Sequence, residues 1–186
     1  MKRLLNFILF VGFSTLLFTS CGAKKKTSNI TYHTKDSTTK TPISKHKGNV
    51  VQYYADLLGT SSKHMNSSLY EYIDEWMGAP HRLGGVDKNG IDCSGFVGNI
   101  FVQIYHKNLP RTSKDMGEIV KRKYDDQLKE GDLLFFSFGG KSIDHVGIYL
   151  SNDKFVHVST KQGVVISNLK DPWYYKYFVR CGSVEI

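Results

Sequence analysis

No stretch of this chain stays apolar for long. The longest hydrophobic run, Leu4 to Phe18, covers about 15 residues, short of the roughly 20 that a helix needs to cross a bilayer. Cysteine is scarce, with three in 186 residues, which excludes a scaffold built on a disulfide framework. Neither HExxH nor paired CxxC or HxxxH spacing occurs, so the usual zinc signatures are missing. No internal repeat is visible. Residues 49–186 also lack a charge excess, with 16 Lys plus Arg against 16 Asp plus Glu. A nucleic-acid-binding domain normally carries basic charge on the fold itself, so no nucleic-acid partner is expected. The formal +8 lies in front of that region, in Lys2, Arg3 and seven lysines between residues 21 and 48 opposed there only by Asp36. Hydrophobic residues make up 40% of the chain and aromatic residues 13%, enough to bury a core and to exclude wholesale disorder.

The front of the chain reads as an address. Lys2-Arg3 followed by the short apolar run suits a secretory signal peptide, residues 1–20. The run ends in Leu17-Phe18-Thr19-Ser20-Cys21-Gly22, which resembles the lipobox of bacterial lipoproteins. That resemblance implies that Cys21 is lipidated and becomes the first residue, anchoring the protein to a membrane by several acyl chains. An ordinary signal peptide with an incidental cysteine is the alternative, although no A-x-A-like cleavage site is present. Gly22 stands where Asp is associated with inner-membrane retention, which favours the outer membrane, facing the periplasm. Residues 21–48 are Lys-, Thr- and Ser-rich with few large apolar groups, a composition that cannot bury a core. They read as a tether spanning roughly 30 Å as a coil and about 90 Å if fully extended.

From residue 49 the pattern becomes that of a folded domain, 49–186. Val50, Val51, Tyr54, Leu57 and Leu58 have helical spacing and end near Gly59. Ser68 and Glu71 suggest a capping box before the apolar stripe of Leu69, Tyr70, Ile73, Trp76 and Met77, which Gly78-Ala79-Pro80 stops. A glycine-rich turn then leads into Asp92-Cys93-Ser94-Gly95, and Phe96, Val97, Ile100, Phe101, Ile104 and Tyr105 continue at helical spacing. Strand-like runs follow at Leu133–Phe138, His145–Leu150, Phe155–Ser159, Val164–Ile166 and Phe178–Ile186. Helices first and a meander afterwards predict an α+β fold with N-terminal helices on an antiparallel sheet of about five or six strands.

Chemistry concentrates on Cys93, His145 and His157. Cys93 falls at the first turn of a helix, where unpaired N–H groups and partial positive charge stabilise a thiolate. Its neighbour Gly95 would let the backbone approach a substrate. A Cys93–Cys181 disulfide is the alternative expected of an exported protein. A hairpin turning at Asn152-Asp153 would pair positions summing to about 305, so His145 and His157 can share a face without being direct partners. In a thiol hydrolase His145 would act as base to Cys93 and His157 would orient its ring. A zinc site on Cys93, His145 and His157 is the competing reading, but no metal or cofactor is expected.

The segments Gly84-Gly85, Gly90-Ile91-Asp92-Cys93-Ser94-Gly95-Phe96-Val97, Leu109-Pro110-Arg111-Thr112-Ser113, Glu130-Gly131-Asp132-Leu133-Leu134-Phe135-Phe136, Asp144-His145-Val146-Gly147-Ile148-Tyr149 and Phe155-Val156-His157 resemble, in order and spacing, the NlpC family of papain-like cell-wall cysteine peptidases. The likeness runs from about residue 69 to the C-terminus and is strongest to its lipoprotein Spr/MepS murein endopeptidase branch. It implies a papain-like fold, Cys93 as nucleophile, His145 as general base and His157 as the third polar residue. It also implies that Asp92 and Ser94 line the substrate site and that peptidoglycan is the substrate. The bond favoured is D-alanyl–diaminopimelyl, with D-glutamyl–diaminopimelyl as the other choice, and the protein is expected to act as a monomer. Where the family usually carries Tyr after Gly-x-Pro, this chain has His81. Its imidazole can replace the phenol in contacting substrate or oxyanion. Equally, it can mark altered specificity or an inactive wall-binding lipoprotein.

Overall fold

A computed structural model describes residues 48–185. The expected signal peptide, the lipidated Cys21 and nearly all of the tether lie outside the described residues. Helix α1, Val50–Leu58, is capped by Asn49, whose side chain accepts from the Gln52 N–H, and it ends on the left-handed Gly59. Helix α2, Ser67–Trp76, begins earlier than expected, because the Asn66 side chain rather than Ser68 accepts from the Leu69 N–H. Asn at this position satisfies an otherwise orphaned donor as well as Ser would, and such a cap contributes about 1 kcal/mol relative to Ala.

A two-stranded ribbon, β1 (Val86–Asp87) and β2 (Gly90–Ile91), feeds α3, Cys93–Tyr105. Two elements without a strong sequence signal follow, α4 (Ser113–Ile119) and β3 (Lys121–Lys123). Strand β4 is Leu133–Phe136, shorter than the expected Leu133–Phe138. Strands β5 (His145–Ser151), β6 (Lys154–Ser159) and β7 (Gly163–Asn168) continue the meander. Helix α5, Pro172–Tyr177, was unforeseen and leads directly into β8, Phe178–Ser183.

The six-stranded sheet has the order β3-β8-β4-β5-β6-β7 with every neighbouring pair antiparallel. Alternation along β5 divides its side chains between two layers. Val146, Ile148 and Leu150 join the main core, with Leu69, Ile73, Phe96, Ile100 and Phe101 from α2 and α3. The other face carries a smaller aromatic layer of Leu134, Phe136, Phe155, Leu169 and Cys181, with Tyr174 of α5 packed against it. This division disposes of the disulfide. Cys181 points into the smaller layer and donates to the Lys123 carbonyl at 3.3 Å, whereas Cys93 packs against the main core, and both thiols are free.

Candidate active site

The start of α3 is held from several directions at once. Asp92 caps it: one carboxylate oxygen accepts from the Gly95 N–H at 2.6 Å and from the Ser94 hydroxyl at 3.2 Å. The other accepts from the Gly84 N–H at 2.8 Å, tying the glycine-rich turn to the helix. Arg111 grips both oxygens, at 3.0 and 2.7 Å, and also donates to Ser94 Oγ at 2.8 Å. Burial alone would raise the Asp92 pKa, but the hydrogen bonds from Arg111, Gly95 and Gly84 hold it below the usual carboxylate range. Gly95 has a different use from the one its position suggested. A Cβ there would lie 2.6 Å from the Gly85 carbonyl oxygen and 3.0 Å from the Asp92 carboxylate. The missing side chain therefore makes room for protein backbone, not for substrate.

Cys93 is the first residue of the helix so fixed. Three backbone N–H groups, those of Val146 at the start of β5, of Ser94 and of Cys93 itself, favour the ionised form of its sulfur. The place of Cys93 at a helix start suggested an ionised sulfur. In the folded protein burial dominates and, with the nearby Asp92 charge, pushes the thiol up despite those three donors. The helix terminus stabilises a thiolate, but it does not overcome removal of the sulfur from water. The resting thiol therefore needs a base.

A candidate for that base comes from β5. The β5–β6 hairpin turns at Asn152 and Asp153, both at positive φ, and sets Gly147 opposite His157. His145 and His157 thus become diagonal neighbours on one face, one position away from the register sum expected from sequence. His145 Nε2 meets His157 Nδ1 at 2.9 Å. His157 is 2% exposed. Burial pushes the His145 ring down to about 4, partly opposed by Asp144 and reinforced by His81. Burial, and then His145, push His157 down to about 3. Both rings are therefore neutral near pH 7. With Nε2 of His145 committed to His157, Nδ1 is the nitrogen left to face an incoming proton.

His81, Asp92, Cys93, Ser94, Arg111 and His145 all open onto one cleft of about 630 Å³. His157 lies behind His145, and every expected protein-contact residue of the site thus falls in one place. Chemically the arrangement offers a nucleophilic sulfur, a neutral imidazole to take its proton, and converging N–H groups where an oxyanion would form. Among the described residues no cluster of three or more His, Cys, Asp or Glu has metal-holding geometry. Three participants escaped sequence reasoning. Arg111 sits within a quoted motif but had no assigned task. Ser167 of β7 was findable in principle, since Phe155 pairs with Ser167 across β6–β7 and shares a face with His157. Tyr174 was not findable, because α5 carries no apolar periodicity.

The NlpC/P60 family profile matches residues 78–183, and the chain belongs to that family. It is similar to a Haemophilus influenzae protein named probable endopeptidase, with 42% identity over 111 residues, 59% of this chain and 69% of the relative. It is also similar to the Escherichia coli murein DD-endopeptidase MepS/murein LD-carboxypeptidase, with 40% identity over 114 residues, 61% of this chain and 60% of that protein. The match to the Spr/MepS branch agrees with the resemblance read from the motifs. Among solved structures, an NlpC/P60 family protein from Bacillus cereus superposes with a TM-score of 0.57 at 26% identity, over 61% of this chain and 38% of its own. The NlpC/p60 domain of the peptidoglycan hydrolase SagA superposes at 0.55 and 24% identity, over 63% of this chain and 97% of its own, and supports the fold.

Proposed function

We propose that this protein is a thiol-dependent murein endopeptidase in which Cys93 attacks a stem-peptide carbonyl while His145 removes its proton. The observation that carries this reading is the opening of Cys93 and His145 onto one cleft, with His145 backed by the buried His157. The thiol proton passes to His145 Nδ1 as the sulfur–carbon bond forms. Because the thiol starts neutral, attack and proton removal are coupled. Backbone N–H groups at the start of α3, including that of Cys93, receive the oxyanion, and each such donor contributes roughly 10²–10³ in rate. Collapse breaks the carbon–nitrogen bond, and the His145 imidazolium protonates the leaving amine. Water, deprotonated by His145, then hydrolyses the thioester and restores the thiol.

The substrate is peptidoglycan, and the bond is the D-alanyl–diaminopimelyl crosslink, supported by the relative named a murein DD-endopeptidase. Asp92 and Ser94 line the peptide site. We further propose that Cys21 carries lipid, that residues 21–48 tether the domain, and that the protein works as a monomer at the outer membrane, facing the periplasm.

The test is mass analysis of muropeptides after incubation of purified crosslinked dimers with the full chain and with Cys93→Ala. Wild type should convert dimers into monomers whose masses mark the D-alanyl–diaminopimelyl bond as cut. Cys93→Ala should convert none. Turnover by Cys93→Ala near the wild-type rate would overturn the mechanism. Retention of wild type on sacculi with no released muropeptide would instead identify an inactive wall-binding protein.

A further inference from the structure

His157 is bonded on both sides of its ring. Nδ1 faces His145, while Nε2 lies 3.0 Å from Ser167 Oγ and 3.1 Å from the Tyr174 hydroxyl. Ser167 in turn donates to the Tyr174 oxygen at 3.2 Å. The Tyr174 ring packs edge-on against His157 and Phe155, with centroids 5.3 and 5.2 Å apart, which fixes where its hydroxyl sits. Three elements meet here: β6 supplies His157, β7 supplies Ser167 and α5 supplies Tyr174.

A neutral imidazole has one N–H and one lone pair, so each ring constrains the next. To take the thiol proton, His145 needs its lone pair on Nδ1 and its hydrogen on Nε2. That hydrogen needs a lone pair on His157 Nδ1, which places the hydrogen of His157 on Nε2. An acceptor must then stand at Nε2. That acceptor exists when Ser167 directs its single hydrogen at Tyr174 and Tyr174 turns its own away from Nε2, so that Ser167 Oγ presents only lone pairs to His157. In the reverse arrangement His157 would donate from Nδ1, and His145 would turn its N–H toward the sulfur and be unable to act as base.

We propose that Ser167 and Tyr174 are positioning residues that set the tautomers of the His157–His145 chain, with Tyr174 holding Ser167 as an acceptor. Neither lines the cleft onto which Cys93 and His145 open. Their effect also extends to the imidazolium state, in which the new charge on His145 polarises His157 and strengthens its bond to the serine oxygen. This inference rests on the proposed thiol mechanism with His145 as base, and the thiol on which that mechanism depends is checked separately by Cys93→Ala.

The experiment compares the full-length wild type with Ser167→Ala, Tyr174→Phe and Ser167→Thr. Two readouts are taken: kcat and KM on crosslinked muropeptide dimers, and the nitrogen-15 signals of the two imidazoles in the protein without substrate. Ser167→Ala should lower kcat about 10- to 100-fold, the range expected when a buried hydrogen bond is lost, with KM little changed. The His157 signals should move from a protonated Nε2 toward a mixture. Tyr174→Phe frees the serine hydroxyl to rotate and should produce the same mixture with a smaller loss of kcat. Ser167→Thr keeps the hydroxyl on the strand and should restore both readouts. Wild-type tautomer signals together with wild-type kcat in Ser167→Ala and Tyr174→Phe would overturn the proposal. So would a loss of kcat without any change in tautomer signals, since that result means a merely structural role. Failure of Cys93→Ala to abolish turnover would instead remove the thiol mechanism on which the inference rests.

Discussion

Moderate acid should weaken this protein more steeply than its carboxylates explain. In the folded state His145 is pushed down to about 4 and His157 to about 3, both by burial, against an ordinary value of 6.5. For a base with a depressed folded pKa, the unfolded chain binds a proton that the native protein cannot. Stability is therefore undiminished above about pH 6.5 and falls as the pH drops toward the folded values. Each buried imidazole contributes a slope of up to about 1.4 kcal/mol per pH unit, so the pair contributes about 2.7. One unit of acidification from about pH 6 thus removes a large share of a typical stability of roughly 5–15 kcal/mol. Asp92, whose carboxyl is held low mainly by Arg111 against the opposing effect of burial, gives up its contribution only below about pH 4. The interval from about pH 6 to 5 therefore isolates the imidazoles. Urea unfolding across that interval should show a slope in wild type about twice that of His157→Gln. Equal slopes in the two proteins would mean that His157 takes a proton as freely folded as unfolded, and its part as a neutral ring behind His145 would fail.

Three further outcomes follow from particular contacts. Gly147→Ala would place a Cβ 2.8 Å from the Phe155 ring, 2.9 Å from the Val156 carbonyl and 3.2 Å from His157 Cβ. It should cost about 1–3 kcal/mol and lower muropeptide hydrolysis by displacing β6, and an unchanged melting temperature and rate would contradict that. Arg111→Ala strips the buried Asp92 of its bidentate partner and should destabilise by about 2 kcal/mol in chemical denaturation. Arg111→Lys should recover less than half of the loss, because an ammonium cannot reproduce the fork. His81→Tyr should change the rate or the preference among muropeptide substrates, since residue 81 lines the cleft beside Cys93 and His145. Identical kinetics on every substrate would leave His81 without a functional role.

Much of the site was legible because its signals are local. Asp92-Cys93-Ser94 before an apolar helical stripe places a thiol at a helix start, since capping depends on neighbouring residues alone. The spacing of His145 and His157 about a two-residue turn places both rings on one face because side chains alternate along a strand. The elements that escaped notice were α4, β3 and α5, which are short and carry no apolar period. Tyr174 therefore came with no warning, although it touches the histidine that the sequence did single out.

The chain by itself determined the α+β order, the helix-borne sulfur, the shared face of the two imidazoles and the family to which they belong. Only the tertiary structure decided their protonation. Burial of Cys93, His145 and His157 depends on how α3 packs against β5 and how α5 covers β6, and desolvation disfavours charge on all three. A helix terminus favours a thiolate in any context, but the water removed by distant segments sets the balance. No local pattern of residues records how much water that is.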